Sequence, residues 1–131
     1  MVDFTYGKRI EARIYRHSDG YPEGLGADLF IFLRAVKSQT KDTRFTDPSY
    51  LAAKFVVWQA GEYADNKAKP LEFLSLGISM EYHGDLEYVY RVDCNNIRTD
   101  GLPSISVAEF HNGAPQDFKP LPDVLVEEAK S

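Results

Sequence analysis

A single cysteine, Cys94, is too few for an intrachain disulfide or a cysteine-based metal cluster. A chain without such staples fits a reducing compartment, with Cys94 read as a buried, inert thiol. A basic excess is also missing: 15 Lys and Arg stand against 20 Asp and Glu, a net charge of −5. General DNA or RNA binding needs a basic face to neutralise phosphates, so that class is set aside. The small group Lys8, Arg9, Arg13 and Arg16 reads as a solvated strand face. No apolar run approaches the length of a membrane span, and "MVDFTYGKRIEA" lacks the apolar core of a signal peptide. A cytoplasmic, acidic protein without a membrane partner is the expectation. Internal repeats and low-complexity tracts are absent too.

What the chain does have is enough apolar material for one ordinary domain. Of its 131 residues, 44% are hydrophobic and 13% aromatic. "RIEARIYRH" alternates, with Ile10, Ala12 and Ile14 on one side and Glu11, Arg13 and Tyr15 on the other, which predicts a half-buried strand. In "LGADLFIFLRAVK", Leu25, Leu29, Phe32, Leu33 and Val36 recur at steps of three and four, one apolar stripe of a helix. Asp47-Pro48 is a helix start, because Asp accepts from free N–H groups and Pro suits the first helical position. The second helix runs through Leu51, Phe55 and Trp58, with Gly61 marking a close contact or early fraying.

"LEFLSLGISMEYHGDLEYVYRVDC" reads as a hairpin. Leu74, Leu76, Ile78, Met80 and Tyr82 would share one face of its first strand, with the reversal near Gly84. Gly77 inside that strand suggests a bulge or a close neighbour. "SISVAEFH" is a further, weaker strand. The expected fold is therefore α+β and two-layered, in the order β-α-α-β-β-β plus a C-terminal tail. An antiparallel sheet of about four strands carries two helices on one face. Residues 1–113 form the domain. Residues 114–131 form a proline-rich tail that packs on it and ends in a short helix.

One stretch stands out chemically. "YRHSDGYPEGLGADL", Tyr15 to Leu29, sets Arg, His, Asp, Pro and Gly between a strand and a helix. Asp19-Gly20 is a turn signal and Tyr21-Pro22 an extended approach. Gly24 and Gly26 would let a ligand come near the backbone, yet the Lys-Ser/Thr pair of a phosphate loop is missing. Glu23 and Asp28 complement the helix dipole instead. The stretch resembles a motif, YRHxDGYPxG, of small uncharacterised bacterial and phage-like proteins. That likeness covers about fifteen residues, and it implies no activity and no catalytic residue.

The expected function is a non-enzymatic binding or regulatory module. It would engage a small ligand or a protein partner at residues 15–28, through Arg16, His17, Asp19 and Tyr21. Arg16 offers a planar fork to a carboxylate or phosphate, His17 a donor or acceptor, and Tyr21 a stacking surface. No cofactor is expected on this reading. An alternative is a metal-dependent hydrolase. His17, His83 and His111 each follow a strand-like run, and three imidazoles at one sheet edge would hold Zn²⁺ or another divalent metal. The carboxylates Glu81, Asp85, Glu87 and Asp93 read as a solvated sheet face rather than an acid–base pair. A third reading is a structural assembly protein, in which a sheet edge pairs with a second copy.

Overall fold

The first five-residue strand holds the middle of the sheet. In the computed structural model, which describes residues 1–17, 20–64, 70–82 and 86–121, β1 (Val2–Tyr6) pairs antiparallel with β2 (Arg9–Arg16). Gly7, at φ +62°, makes the turn between them, and its N–H donates to Asp93 Oδ1 at 2.9 Å. A π-helical turn (Pro22–Gly26) then leads into α1 (Ala27–Gln39), followed by α2 (Pro48–Ala64) and the short α3 (Pro70–Phe73). β3 (Leu76–Ile78), β4 (Tyr88–Ile97) and β5 (Pro103–His111) come next. The two-residue strands β6 (Ala114–Pro115) and β7 (Lys119–Pro120) both pair with β5.

The spatial order is β3-β2-β1-β4-β5-β6, and β1 runs parallel to β4. The α+β class holds, but an antiparallel sheet of about four strands does not: among the described residues the sheet is mixed and seven-stranded. The expected hairpin fails for the same reason. β1 occupies the flank of β4 that the hairpin's first strand needed, so β3 pairs with β2 instead, two strands away. Only Leu76–Ile78 of that segment is a strand, and Ile78 and Met80 are exposed. Gly77 sits in regular register opposite Tyr15, and a methyl group at its Cα would meet nothing within 4 Å, so neither a bulge nor a close neighbour explains it.

Alternation in β1 buries both faces. Val2 and Phe4 join the main core with Ile14, Tyr90, Val92 and Ile105, under the helices. Every residue of the expected α1 stripe is buried there. Aromatic rings tie α1, α2 and the sheet together: Phe55 lies 5.9 Å from Phe4 and 5.2 Å from Phe32, between centroids. Pro48 opens α2, whose first bond runs from Leu51 N–H to Asp47 C=O, while the Asp47 carboxylate accepts from Ser49 Oγ.

Gly61 is exposed in α2 and a methyl there would meet nothing within 4 Å. Gly61→Ala is therefore expected to raise stability by about 0.5–1 kcal/mol, read as a higher urea midpoint at unchanged slope.

The opposite sheet face is not simply solvated. Met1, Val89 and Phe110 form a second, smaller core, against which Tyr15, Tyr82, Leu86 and Phe118 pack. The segment after β5 adds to the main core through Leu121, which is buried. Residues 122–131, where the terminal helix was expected, lie outside the described residues. Cys94 is buried, and burial above all pushes its thiol up to about 12, with Asp93 adding to the shift. Thiol reagents at neutral pH are expected to label it only after denaturation, in a colorimetric count of free thiol.

Candidate functional site

The last shared row of β1 is Ile14–Val2–Tyr90. Beyond it β2 continues through Tyr15 and Arg16, and β4 begins at Tyr88. A cavity of about 220 Å³ lies at these two strand ends. Its wall takes Tyr15 and Arg16 from the end of β2, His17, Gly20 and Tyr21 from beyond it, Leu86 and Glu87 from just before β4 and Tyr88 from its start, with Met1 beside them. Three of the four expected site residues, Arg16, His17 and Tyr21, thus share one cavity. The fourth, Asp19, lies outside the described residues.

Each wall residue is placed by a local cause. Alternation turns Arg16 to the helix side of the sheet. There its Nη1 donates to Asp28 Oδ2 of α1 at 2.7 Å and to Gln59 Oε1 of α2 at 3.2 Å. Its side chain is only 8% exposed. Arg16 therefore bolts the corner to both helices, and its charge is met by Asp28. His17 is exposed on the other side. Its N–H donates to Ser75 C=O at 3.0 Å, and its Nδ1 lies 3.4 Å from the Tyr15 hydroxyl.

Tyr90 Oη donates to Gly20 C=O at 2.7 Å, which pins the turn to β4. Burial raises the Tyr90 phenol pKa, with Tyr88 adding to the shift, so it stays a donor. Gly24 N–H closes on Tyr21 C=O at 3.0 Å. Gly26 serves a close approach, though by protein: a methyl there would lie 3.1 Å from Leu121 Cδ2 and 3.3 Å from Tyr90 Cε1. Tyr21 is 48% exposed at the cavity rim. Burial, the largest cause, holds the Met1 α-amino group down to about 6; Asp3 opposes this and Arg16 adds to it.

The histidines do not assemble as the hydrolase reading needs. β2 and β5 run in the same direction, so His17 and His111 lie at one sheet edge. Three strand spacings separate their strands, roughly 14 Å at ~4.8 Å each, far beyond one metal's coordination sphere. His111 has Glu109 at 3.7 Å instead. His83 and Asp85 lie outside the described residues. Among the described residues, no three His, Cys, Asp or Glu side chains group as metal ligands. Asp93 braces backbone, accepting from Gly7 and from Asn95 N–H at 3.0 Å. The basic group is split too, since Arg13 faces the second core and Arg16 the helices.

A polar cluster with no signal in the sequence crosses the second face. Register sets Arg13 of β2 and Arg91 of β4 on either side of Asp3. Asp3 is fully buried, with Arg13 Nε at 3.3 Å and the Tyr82 hydroxyl donating to its Oδ2 at 2.8 Å. The Arg13 guanidinium lies 4.0 Å from the Tyr82 ring centroid, and that of Arg91 lies 3.9 Å from Phe118. Burial raises the Asp3 pKa, and Tyr82, Arg13 and Arg91 only partly offset it. Asp3 Oδ1, Thr5 Oγ1 and both arginine Nε atoms are buried without a well-formed hydrogen bond. The cluster ties β2, β1 and β4 together across this face.

Other proteins add nothing to this geometry: no family model, no curated protein and no solved structure matches the chain. No described helix is long and apolar enough to cross a membrane.

Proposed function

We propose that the chain is a binding module whose ligand site is the cavity at the ends of β2 and β4. One observation carries this reading. Tyr15, Arg16, His17, Gly20 and Tyr21, from the chemically dense stretch, wall the same space as Leu86, Glu87 and Tyr88, which come from elsewhere in the chain. A mere turn needs no such convergence. The volume is below the ~300–1,000 Å³ of sites for drug-sized ligands, so it suits one small polar molecule or the tip of a partner's side chain. Arg16 gives the wall its rigidity, and His17 and Tyr21 offer exposed groups to the occupant. The Tyr15 hydroxyl beside His17 Nδ1, at 3.4 Å, gives the occupant a hydrogen-bonding pair, and on this reading the pair binds rather than reacts. The likeness of residues 15–24 to the YRHxDGYPxG motif fits a shared site of this kind.

The test is a thermal-shift panel of small polar compounds on wild type, His17→Ala and Tyr21→Ala. Both side chains are exposed, so the variants are expected to melt like wild type without ligand. A compound that stabilises wild type is expected to lose most of its shift in both variants. Equal shifts in all three proteins would place the binding elsewhere and overturn the proposal.

A further inference from the structure

Resting on the reading of this cavity as a ligand site, we infer that its occupant is a small cation, an alkylammonium or guanidinium group. The charges in the wall argue for that sign. The guanidinium of Arg16 is nearly buried and already faces Asp28 at 2.7 Å. It has a counter-charge in place and little reason to draw an anion. Glu87 is different. Its carbonyl accepts from Phe110 N–H at 2.8 Å, but its carboxylate is exposed and takes no hydrogen bond or ion pair among the described residues. Among the described residues it is the wall's uncompensated charge.

Three tyrosines, Tyr15, Tyr21 and Tyr88, line the same space. Aromatic faces attract cations through the ring quadrupole, and a carboxylate beside them adds a direct Coulomb partner. The same rings offer an anion only their hydroxyl edges. A chain with net charge −5 also steers cations toward it. The compact volume fits a methylated ammonium, or the end of a lysine or arginine side chain presented by a partner.

Calorimetry on the full chain, with tetramethylammonium chloride and with sodium acetate and sodium phosphate at matched ionic strength, tests the sign. Tetramethylammonium is expected to bind and the anions not. Glu87→Gln is expected to weaken that binding about five- to tenfold, and Tyr21→Ala about threefold or more, with unchanged melting temperatures. Acetate or phosphate binding in preference overturns the cation assignment and leaves the cavity as a site. Silence from all three salts, with a neutral compound still giving a His17-dependent thermal shift, overturns the cation assignment alone. Silence from the salts and from the whole thermal-shift panel overturns the site itself. Tetramethylammonium binding that Glu87→Gln leaves unchanged also overturns the inference.

Discussion

Asp3→Ala is expected to bring the protein close to unfolding at room temperature. The substitution leaves two arginines, Arg13 and Arg91, facing each other across β1 without their shared carboxylate. It also strands the Tyr82 hydroxyl, which now donates to Asp3 at 2.8 Å. Removing one partner from a buried ionic cluster costs about 3–5 kcal/mol. A domain of this size has only about 5–15 kcal/mol in total. Asp3→Asn keeps an oxygen for Tyr82 and is expected to cost less. Urea unfolding followed by circular dichroism gives both numbers. A loss below about 1 kcal/mol for the alanine variant, the size of an ordinary surface change, would mean that the cluster is not clamped as described.

The same carboxylate gives a pH dependence of definite sign. Burial raises the folded pKa of Asp3 above its ordinary 3.8. Between that ordinary value and the raised one, the native state binds more protons than the unfolded chain. The proton-linked part of Asp3's contribution is therefore present at low pH and lost as pH rises through the folded pKa, while its pairing with the arginines is a separate effect. The difference in unfolding free energy between wild type and Asp3→Asn should move against wild type as pH rises through that window. The opposite slope would mean that the arginines, not burial, dominate at Asp3.

Phe4→Ala is the second large effect. Phe4 is fully buried, and its ring lies 5.9 Å from that of Phe55. Truncating a core phenylalanine costs about 3–5 kcal/mol through lost transfer energy and the cavity left behind. Tyr6 lies two residues along the same strand but is 39% exposed, and Tyr6→Ala is expected to cost under about 1 kcal/mol. Similar small losses at both positions would deny β1 its place inside the sheet.

These two residues also show what the sequence could and could not reveal. β2, α1 and α2 were legible because each has one apolar side, so period alone separates buried from exposed. β1 has two buried sides, and its second side is Asp3 and Thr5, which read as surface. The alternation of Val2 and Phe4, followed by a Gly7 turn, was the available signal, in a run too short to weigh. The absence of the expected hairpin has the same cause. Alternation in Leu74–Tyr82 says nothing of which strand lies alongside, and a hidden β1 changed every neighbour of β4.

The site divides in the same way. Arg16, His17 and Tyr21 were found because unusual residue types crowd into a few positions. Glu87 and Tyr88 carry no local signal and reach the cavity only through the parallel β1–β4 pairing. The role of Arg16 shifted for a similar reason. Its partners Asp28 and Gln59 lie on two helices whose packing no local pattern encodes. Three strand-end histidines looked alike in sequence, yet two of them prove to end strands separated by β1 and β4.

The central claim, that the corner after β2 and the start of β4 form one ligand site, is most directly tested by amide chemical-shift mapping. Uniformly ¹⁵N-labelled protein would be titrated with the most stabilising compound of the thermal-shift panel. Saturable shifts should concentrate at Tyr15, His17, Gly20, Tyr21, Glu87 and Tyr88, from both chain segments together. Shifts confined to one segment would contradict it, as would shifts centred on the mainly apolar groove of about 410 Å³ that Phe32 and Val36 of α1 line with Ala53 and Val57 of α2.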